Sequence, residues 1–266
     1  MITAVPGGRN AMLPEPAGGL IIARVIRRLH VPHLHVGDNE LDPGQSRHAR
    51  DVLRMAEGEA VEVFDDAGAV ATGTLVFPEP RQTFVRVAAI ETAAPEYRID
   101  ITVASAVPKG ERADWMIEKL SELGVTAFMP LSADRSVVKP DGKNKRERWI
   151  RIATESAKQS RRVGVMRIDE LRTVTDLLKS SSDHQNAFYL STRAGVPRIV
   201  EAFARVDRRG GILLLIGPEG GWTDVEVRRF DEVGWRGVGL TTTILRVETA
   251  AIAAAATMIL LAHPKS

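Results

Sequence analysis

Residues 213 to 227 read LLLIGPEGGWTDVEV, an apolar run followed by Gly217, Pro218, Glu219, Gly220 and Gly221. Residues without Cβ tolerate positive φ and leave room, so three glycines in one bend let backbone approach a ligand closely. Such a loop usually suggests a phosphate cradle. This one instead carries a carboxylate at its centre and no lysine, and an acid there would repel phosphate. Neither G-x-x-x-x-G-K-[ST] nor G-x-G-x-x-G occurs in the stretch, which disfavours nucleotide phosphates. The competing reading is a tight turn before a capped helix, since Thr223 and Glu226 have the spacing of a capping box.

A second stretch bears on that choice. Gly237 to Ala251, GVGLTTTILRVETAA, runs from a short strand through a threonine loop to Ile-Leu-Arg and a helix. Together the two stretches place two strand-to-helix loops at the C-terminal edge of one parallel sheet, where open α/β folds bind ligands. The final helix, from about Glu248 to Ala262, is apolar almost all round. That composition predicts burial on more than one side, beneath the loops or in a subunit interface.

These loops require a sheet, and the chain is long enough for two cores. Residues 1–20 are rich in Pro and Gly and read as a flexible tail, with Met12 an alternative start. No basic region followed by an apolar core marks a signal peptide. Residues 21–94 alternate short β-type runs with turns: Ala60 to Phe64, Val70 to Phe77 and Thr83 to Ile90. Between the early strands, Ala49, Val52, Leu53 and Ala56 recur at helical spacing in Ser46 to Met55. Thr92 to Glu96 is the predicted linker. Residues 95–266 then alternate strands with amphipathic helices, the grammar of an α/β domain with a mostly parallel sheet. The strands are Ile99 to Ala104, Thr126 to Pro130, Asn186 to Leu190, Gly211 to Ile216 and Gly237 to Leu240. Helices cover Ala113 to Leu123, stopped by Gly124, and Glu147 to Arg161.

Composition narrows the chemistry. The chain has 44% hydrophobic and 26% charged residues, and no stretch approaches the ~20 apolar residues of a membrane span. It contains no cysteine, which excludes disulfides, thiolate nucleophiles and Cys-based metal sites and fits a cytoplasmic protein. His30, His33 and His35 lack an acid to complete a ligand set, so no metal is expected, and period two puts His33 and His35 on one face of the first strand. Trp115, Trp149, Trp222 and Trp235 suit packing, although Trp222 could stack a base. Net charge is only +2, yet Lys139 to Arg167 holds ten Lys or Arg against three acids. Such a local excess points to nucleic acid.

LLLIGPEGG paired with TILRVETA resembles the C-terminal signature of the SPOUT superfamily of RNA methyltransferases, most closely its ribosomal RNA small-subunit methyltransferase E branch. HARDVLRMAEGEAVEVFDDAG, PKGE at Pro108 to Glu111, EKLSELGV at Glu118 to Val125 leading to MPLSADRSVV, and AKQSRR at Ala157 to Arg162 agree in order. The resemblance spans about residue 24 to the end. It implies an N-terminal PUA-like β-barrel for RNA and a C-terminal α/β domain tied in a trefoil knot, a topology no periodicity would suggest. It further implies S-adenosylmethionine in the knot, a homodimer, and methylation of N3 of a uridine in 16S rRNA of the small ribosomal subunit. A sulfonium zwitterion without phosphate suits a loop containing Glu219.

Carried onto this chain, the resemblance implies cofactor contacts from Ile216, Gly217, Pro218, Glu219, Gly220, Gly221, Leu240, Thr241, Thr242, Ile244, Leu245 and Thr249. Arg246 and Glu248 are the motif residues with chemistry suited to the reaction, or else an ion pair within the motif fixing the helix start. Phosphate contacts are expected from Arg24, Arg27, Arg28, Arg47, Arg50, Arg54, Lys158, Arg161 and Arg162, with Lys109 and Arg135 at the site rim. Three positions depart from the family: Thr241 and Arg161 stand where glycine is usual, and Thr243 where arginine is usual. Two other readings compete: a knotted methyltransferase acting at another RNA position, and a non-catalytic RNA-binding assembly factor.

Overall fold

The computed structural model describes residues 26–91, 99–137, 143–204, 206 and 210–262. The predicted linker and Arg24 lie outside the described residues. The first part holds β1 (Arg27–His30), β2 (Gly37–Glu40), α1 (Pro43–Arg47), β3 (Ala60–Phe64), β4 (Val70–Val76) and β5 (Phe84–Val87). Their sheet runs β1-β3-β4-β5-β2, antiparallel except for β1 beside β3. Alternation turns Val61, Val63, Ala71, Leu75, Val85 and Val87 inward as one core. The β3–β4 turn is closed by Asp65, whose Oδ1 accepts from the backbone N–H groups of Gly68 and Ala69 at 2.7 and 2.8 Å.

Two local expectations differ from this structure. The helix expected over Ser46 to Met55 is split: α1 stops at Arg47, and His48–Val52 forms a wider π turn in which Leu53 N–H reaches His48 O at 2.9 Å. The wider turn breaks the 3.6 period, so Ala49 and Met55 are buried while Val52 is exposed. The first strand ends at His30, so His33 and His35 sit in an exposed loop rather than on a strand face. Pro32 has no N–H to continue the ladder. Among the described residues no group of three or more His, Cys, Asp or Glu could hold a metal ion.

The second part contains β6 (Ile101–Ser105), α2 (Glu111–Leu123), β7 (Ala127–Ser132), α3 (Lys143–Ser160), β8 (Arg167–Ile168), β9 (Arg172–Thr173) and α4 (Val174–Lys179). It continues with β10 (Asn186–Leu190), α5 (Ile199–Phe203), β11 (Ile212–Ile216), α6 (Asp224–Glu232), β12 (Arg236–Val238) and α7 (Val247–Ala262). The seven strands are all parallel, in the order β12-β10-β11-β6-β7-β8, with β9 beside β7. β11, ILLLI, is central and buried on both faces, which explains an unbroken apolar run. Period two sends Ile212, Leu214 and Ile216 into a core with α2, α3, α5 and α7, and Leu213 and Leu215 into a second with α4 and α6.

Gly124 takes φ 94° and ends α2, as its position predicts. α7 packs on α2, α5, β6 and β11 through small residues, Ala251, Ala254 and Ala255 among them. Leu260, on the same helix, is 76% exposed. Within the chain, therefore, α7 is covered on one side. No helix among the described residues is long and apolar enough to cross a membrane.

Candidate active site

Because every strand of the larger sheet is parallel, the loops after β6, β7, β10, β11 and β12 emerge at one edge. There the loops after β7, β10, β11 and β12 and the start of α7 enclose a cavity of about 330 Å³. Of the residues expected to contact a cofactor, Ile216, Gly217, Pro218, Glu219, Gly220, Gly221, Leu240, Thr241, Ile244 and Leu245 line it. Thr242 and Thr249 do not; both are exposed outside the lining. Arg135, Trp222, Thr243 and Val247 also line it, as do Leu190 to Arg193 in the loop after β10. The sequence contained a signal for that third loop, since Asn186 to Leu190 is a parallel strand whose C-terminal end must open on the same edge.

The glycines of the first loop have distinct jobs. A Cβ on Gly217 would stand 2.9 Å from the Trp222 ring, and one on Gly220 3.3 Å from the Arg135 side chain. Gly221 adopts φ 68°, a left-handed turn that Gly221 N–H to Pro218 O closes at 2.8 Å. Trp222 donates from Nε1 to Leu190 O at 2.9 Å and meets Phe230 edge-on, so it packs beneath the loop while also lining the cavity. The departures at Thr241 and Thr243 answer each other: Thr241 Oγ1 donates to Thr243 O at 2.8 Å, drawing the added side chain into its own loop.

Glu226, 2% exposed, joins two of these loops. Its carboxylate accepts from Thr223 N–H at 2.8 Å, completing the capping box, and from Asp134 N–H at 2.9 Å in the loop after β7. That loop also carries Arg135, which donates to Gly220 O at 2.8 Å. Arg193, across the mouth, pairs with Asp224. Tyr189 on β10 donates to Asp231 at 2.9 Å, and burial with that carboxylate pushes its phenol up to about 12.

Arg112, in the first turn of α2, was not singled out by its motif but connects the two signature stretches. Its Nη1 lies 3.4 Å from Glu248 Oε1 and 3.7 Å from Glu219 Oε1. Glu248 is 4% exposed, and its Oε2 is buried with no hydrogen-bond partner. The pair expected between Arg246 and Glu248 is therefore replaced by Arg112 with Glu248. Arg246 is exposed and precedes Val247, which lines the cavity. A small adjoining cleft of about 40 Å³ shares Arg135, Pro218, Glu219 and Gly220 and adds Lys109.

The other basic residues divide by what holds them. Arg50 donates to the carbonyls of Glu79 and Pro80 and to Thr83, and Arg162 to those of Ser121 and Val125 at 2.8 and 2.9 Å. Arg28 pairs with Glu62 at 2.7 Å and donates to Ala157 O, with its side chain only 5% exposed. The guanidinium groups of these three are engaged by acceptors of the protein itself. Lys158 pairs with Glu155 at 2.8 Å, and Arg161 with Glu62 at 3.5 Å. Arg27, Arg47 and Arg54 are exposed.

Residues 95–259 match the RNA methyltransferase domain family and residues 41–87 the RNA methyltransferase PUA domain family. The chain is 34% identical over 210 residues to ribosomal RNA small subunit methyltransferase E of Bacillus subtilis, covering 76% of this chain and 82% of that one. It belongs to the ribosomal RNA small subunit methyltransferase E family. The methyltransferase E of Synechocystis is 32% identical over 211 residues, 79% of this chain and 69% of that one. The methyltransferase E of Neisseria gonorrhoeae, solved bound to S-adenosyl methionine, superposes with a TM-score of 0.77 at 30% identity, covering 89% and 98% of the two chains. The matched RNA methyltransferase domain includes Arg112, both glycine and threonine loops and most of α7.

Proposed function

We propose that the chain is an S-adenosylmethionine-dependent methyltransferase of small-subunit ribosomal RNA that acts on N3 of a uridine in 16S rRNA. The observation that carries this reading is the cavity at the strand edge, built from the two signature loops. Its residues fit the cofactor: Gly221 leaves open space beside backbone while Gly217 and Gly220 let Trp222 and Arg135 pack against the loop, Ile216, Leu240 and Leu245 supply apolar walls, and Glu219, Arg135 and Arg193 bring both charges to a zwitterion. The bound cofactor supplies an electrophilic methyl group on a sulfonium. What the protein must add is positioning for in-line transfer, together with a route for the N3 proton or stabilisation of charge on the flanking carbonyls.

Two side chains answer the second demand. Glu248 keeps one oxygen without a partner beside the loop of Glu219, and Arg112 holds that carboxylate in place. Arg246, exposed and without an ion pair or hydrogen bond for its guanidinium among the described residues, is free to face a developing negative charge. Arg246→Ala is expected to lower turnover while leaving cofactor affinity nearly intact; unchanged turnover in a methyl-transfer assay would remove Arg246 from the mechanism.

The same reading includes the domain limits 1–20, 21–94 and 95–266, the trefoil knot, a homodimer and a cytoplasmic location. Grip on folded rRNA falls to exposed cations, Arg27, Arg47, Arg54, Lys109 and Arg135, because a stacked base must be freed before N3 is reached. RNA affinity should then fall steeply with added salt, by roughly 0.7 log units per log unit of salt for each phosphate contact on single strands. A flat salt response in a binding titration would argue against this surface. Mass spectrometry of rRNA nucleosides from a strain lacking the gene tests the whole reading: the missing methylated base, if any, identifies the reaction.

A further inference from the structure

Arg161, immediately after α3, sits at φ 55°, in the left-handed region that Cβ makes unfavourable. A non-glycine residue stays there when its surroundings over-determine it. They do so here. Arg161 Nη1 lies 3.5 Å from Glu62 Oε2, and Nη2 donates to Ile26 O at 3.1 Å. The other oxygen of Glu62 lies 2.7 Å from Nε of Arg28, whose Nη1 donates to Ala157 O on α3 at 3.3 Å. One carboxylate on β3 thus joins an arginine of the small sheet to an arginine at the end of α3.

The seam around this carboxylate is closely fitted. A Cβ on Gly68 would stand 2.7 Å from the Val163 side chain, and one on Gly164 3.0 Å from Asp66 O. Val165 N–H donates to the same Asp66 O at 3.3 Å. Arg28 is largely buried, and that desolvation lowers its pKa, so it depends on Glu62 for compensation.

We propose that Glu62 and Arg161 form a clamp that sets the N-terminal sheet against the α/β domain, making both positioning residues for RNA and neither an RNA contact. The inference rests on the reading that this chain methylates RNA gripped in part by the N-terminal sheet. Its two sides make opposite predictions. If Arg161 touched phosphate, Glu62→Gln would free it and remove a nearby negative charge, so RNA would bind as well or better. A clamp requires the reverse.

The experiment uses the full chain and small ribosomal subunits from a strain lacking the gene. For Glu62→Gln the clamp predicts a KM for subunits, and a Kd for their RNA, raised about tenfold. Saturated kcat and S-adenosylmethionine affinity stay at the wild-type values. Arg161→Lys separates the roles again, since lysine serves a phosphate as a point charge but lacks the fork that reaches Glu62 and Ile26 O together. The clamp predicts a raised KM for Arg161→Lys as well. A Glu62→Gln KM at or below wild type, or an Arg161→Lys KM equal to wild type, overturns it. If Glu62→Gln fails to fold because Arg28 loses its partner, Arg161→Lys decides alone. A wild-type protein that binds the subunits without methylating them would sink the methylation reading by itself, and the clamp would then be read from the RNA Kd.

Discussion

Gly217→Val is expected to weaken cofactor binding strongly while the protein stays folded. Even the first added carbon would stand 2.9 Å from the Trp222 ring. That ring has little freedom to yield, because Nε1 is tied to Leu190 O at 2.9 Å and Phe230 meets it edge-on at 5.1 Å between centroids. The loop must shift instead, and Gly217 and its neighbours to Gly221 are a wall of the cavity. Overpacking of this kind costs about 1–3 kcal/mol. Charged to the bound geometry, that is roughly a 10- to 100-fold rise in Kd for S-adenosylmethionine. Calorimetric titration checks it, with a thermal melt to confirm folding; an affinity equal to wild type would mean that the loop does not hold the cofactor.

The second large effect is expected at Arg112. Removing it by Arg112→Ala leaves Glu248, whose side chain is 6% exposed, without its ion pair and with Oε2 already unpartnered. Breaking a fully buried pair costs about 3–5 kcal/mol. Arg112 is itself 37% exposed and the separation is 3.4 Å, so screening reduces the expected loss to about 1–2 kcal/mol. The functional loss should be larger than the loss of stability. Arg112 is the cation shared by Glu219 in one loop and Glu248 at the start of α7, and a misplacement near 1 Å can cost about 100-fold in rate. The double variant Arg112→Ala, Glu248→Leu removes the stranded charge and should recover much of the melting temperature without recovering turnover. If turnover returned with stability, the pair would be structural only.

Much of this fold was legible because burial leaves a periodic trace. ILLLI had to be a strand covered on both faces, and Asn186 to Leu190 matches β10 residue for residue. Thr223 and Glu226 form the capping box that their spacing predicts. Elements with little apolar surface were not legible: β8 and β9 are two residues each, and α5 is five. The π turn at His48–Val52 misled for a different reason, since a widened turn keeps the residue types of a helix while changing which of them face inward.

The candidate site divides in the same way. Residues whose role depends on local backbone, Gly217 to Gly221 and the threonine loop, could be read from the chain because glycine and capping requirements act over a few neighbours. Charge partners could not. Arg112 and Glu248 are 136 residues apart, Glu226 reaches Asp134 across 92, and Arg161 reaches Ile26 across 135. A basic residue in a sequence has no sign of whether an acceptor waits for it inside the fold. The sequence by itself therefore determined the parallel sheet, the two loops at its edge and the family to which they belong. Only the tertiary structure decided which arginines are engaged by internal carboxylates and carbonyls and which remain exposed, because ion pairing depends on distances that packing alone sets.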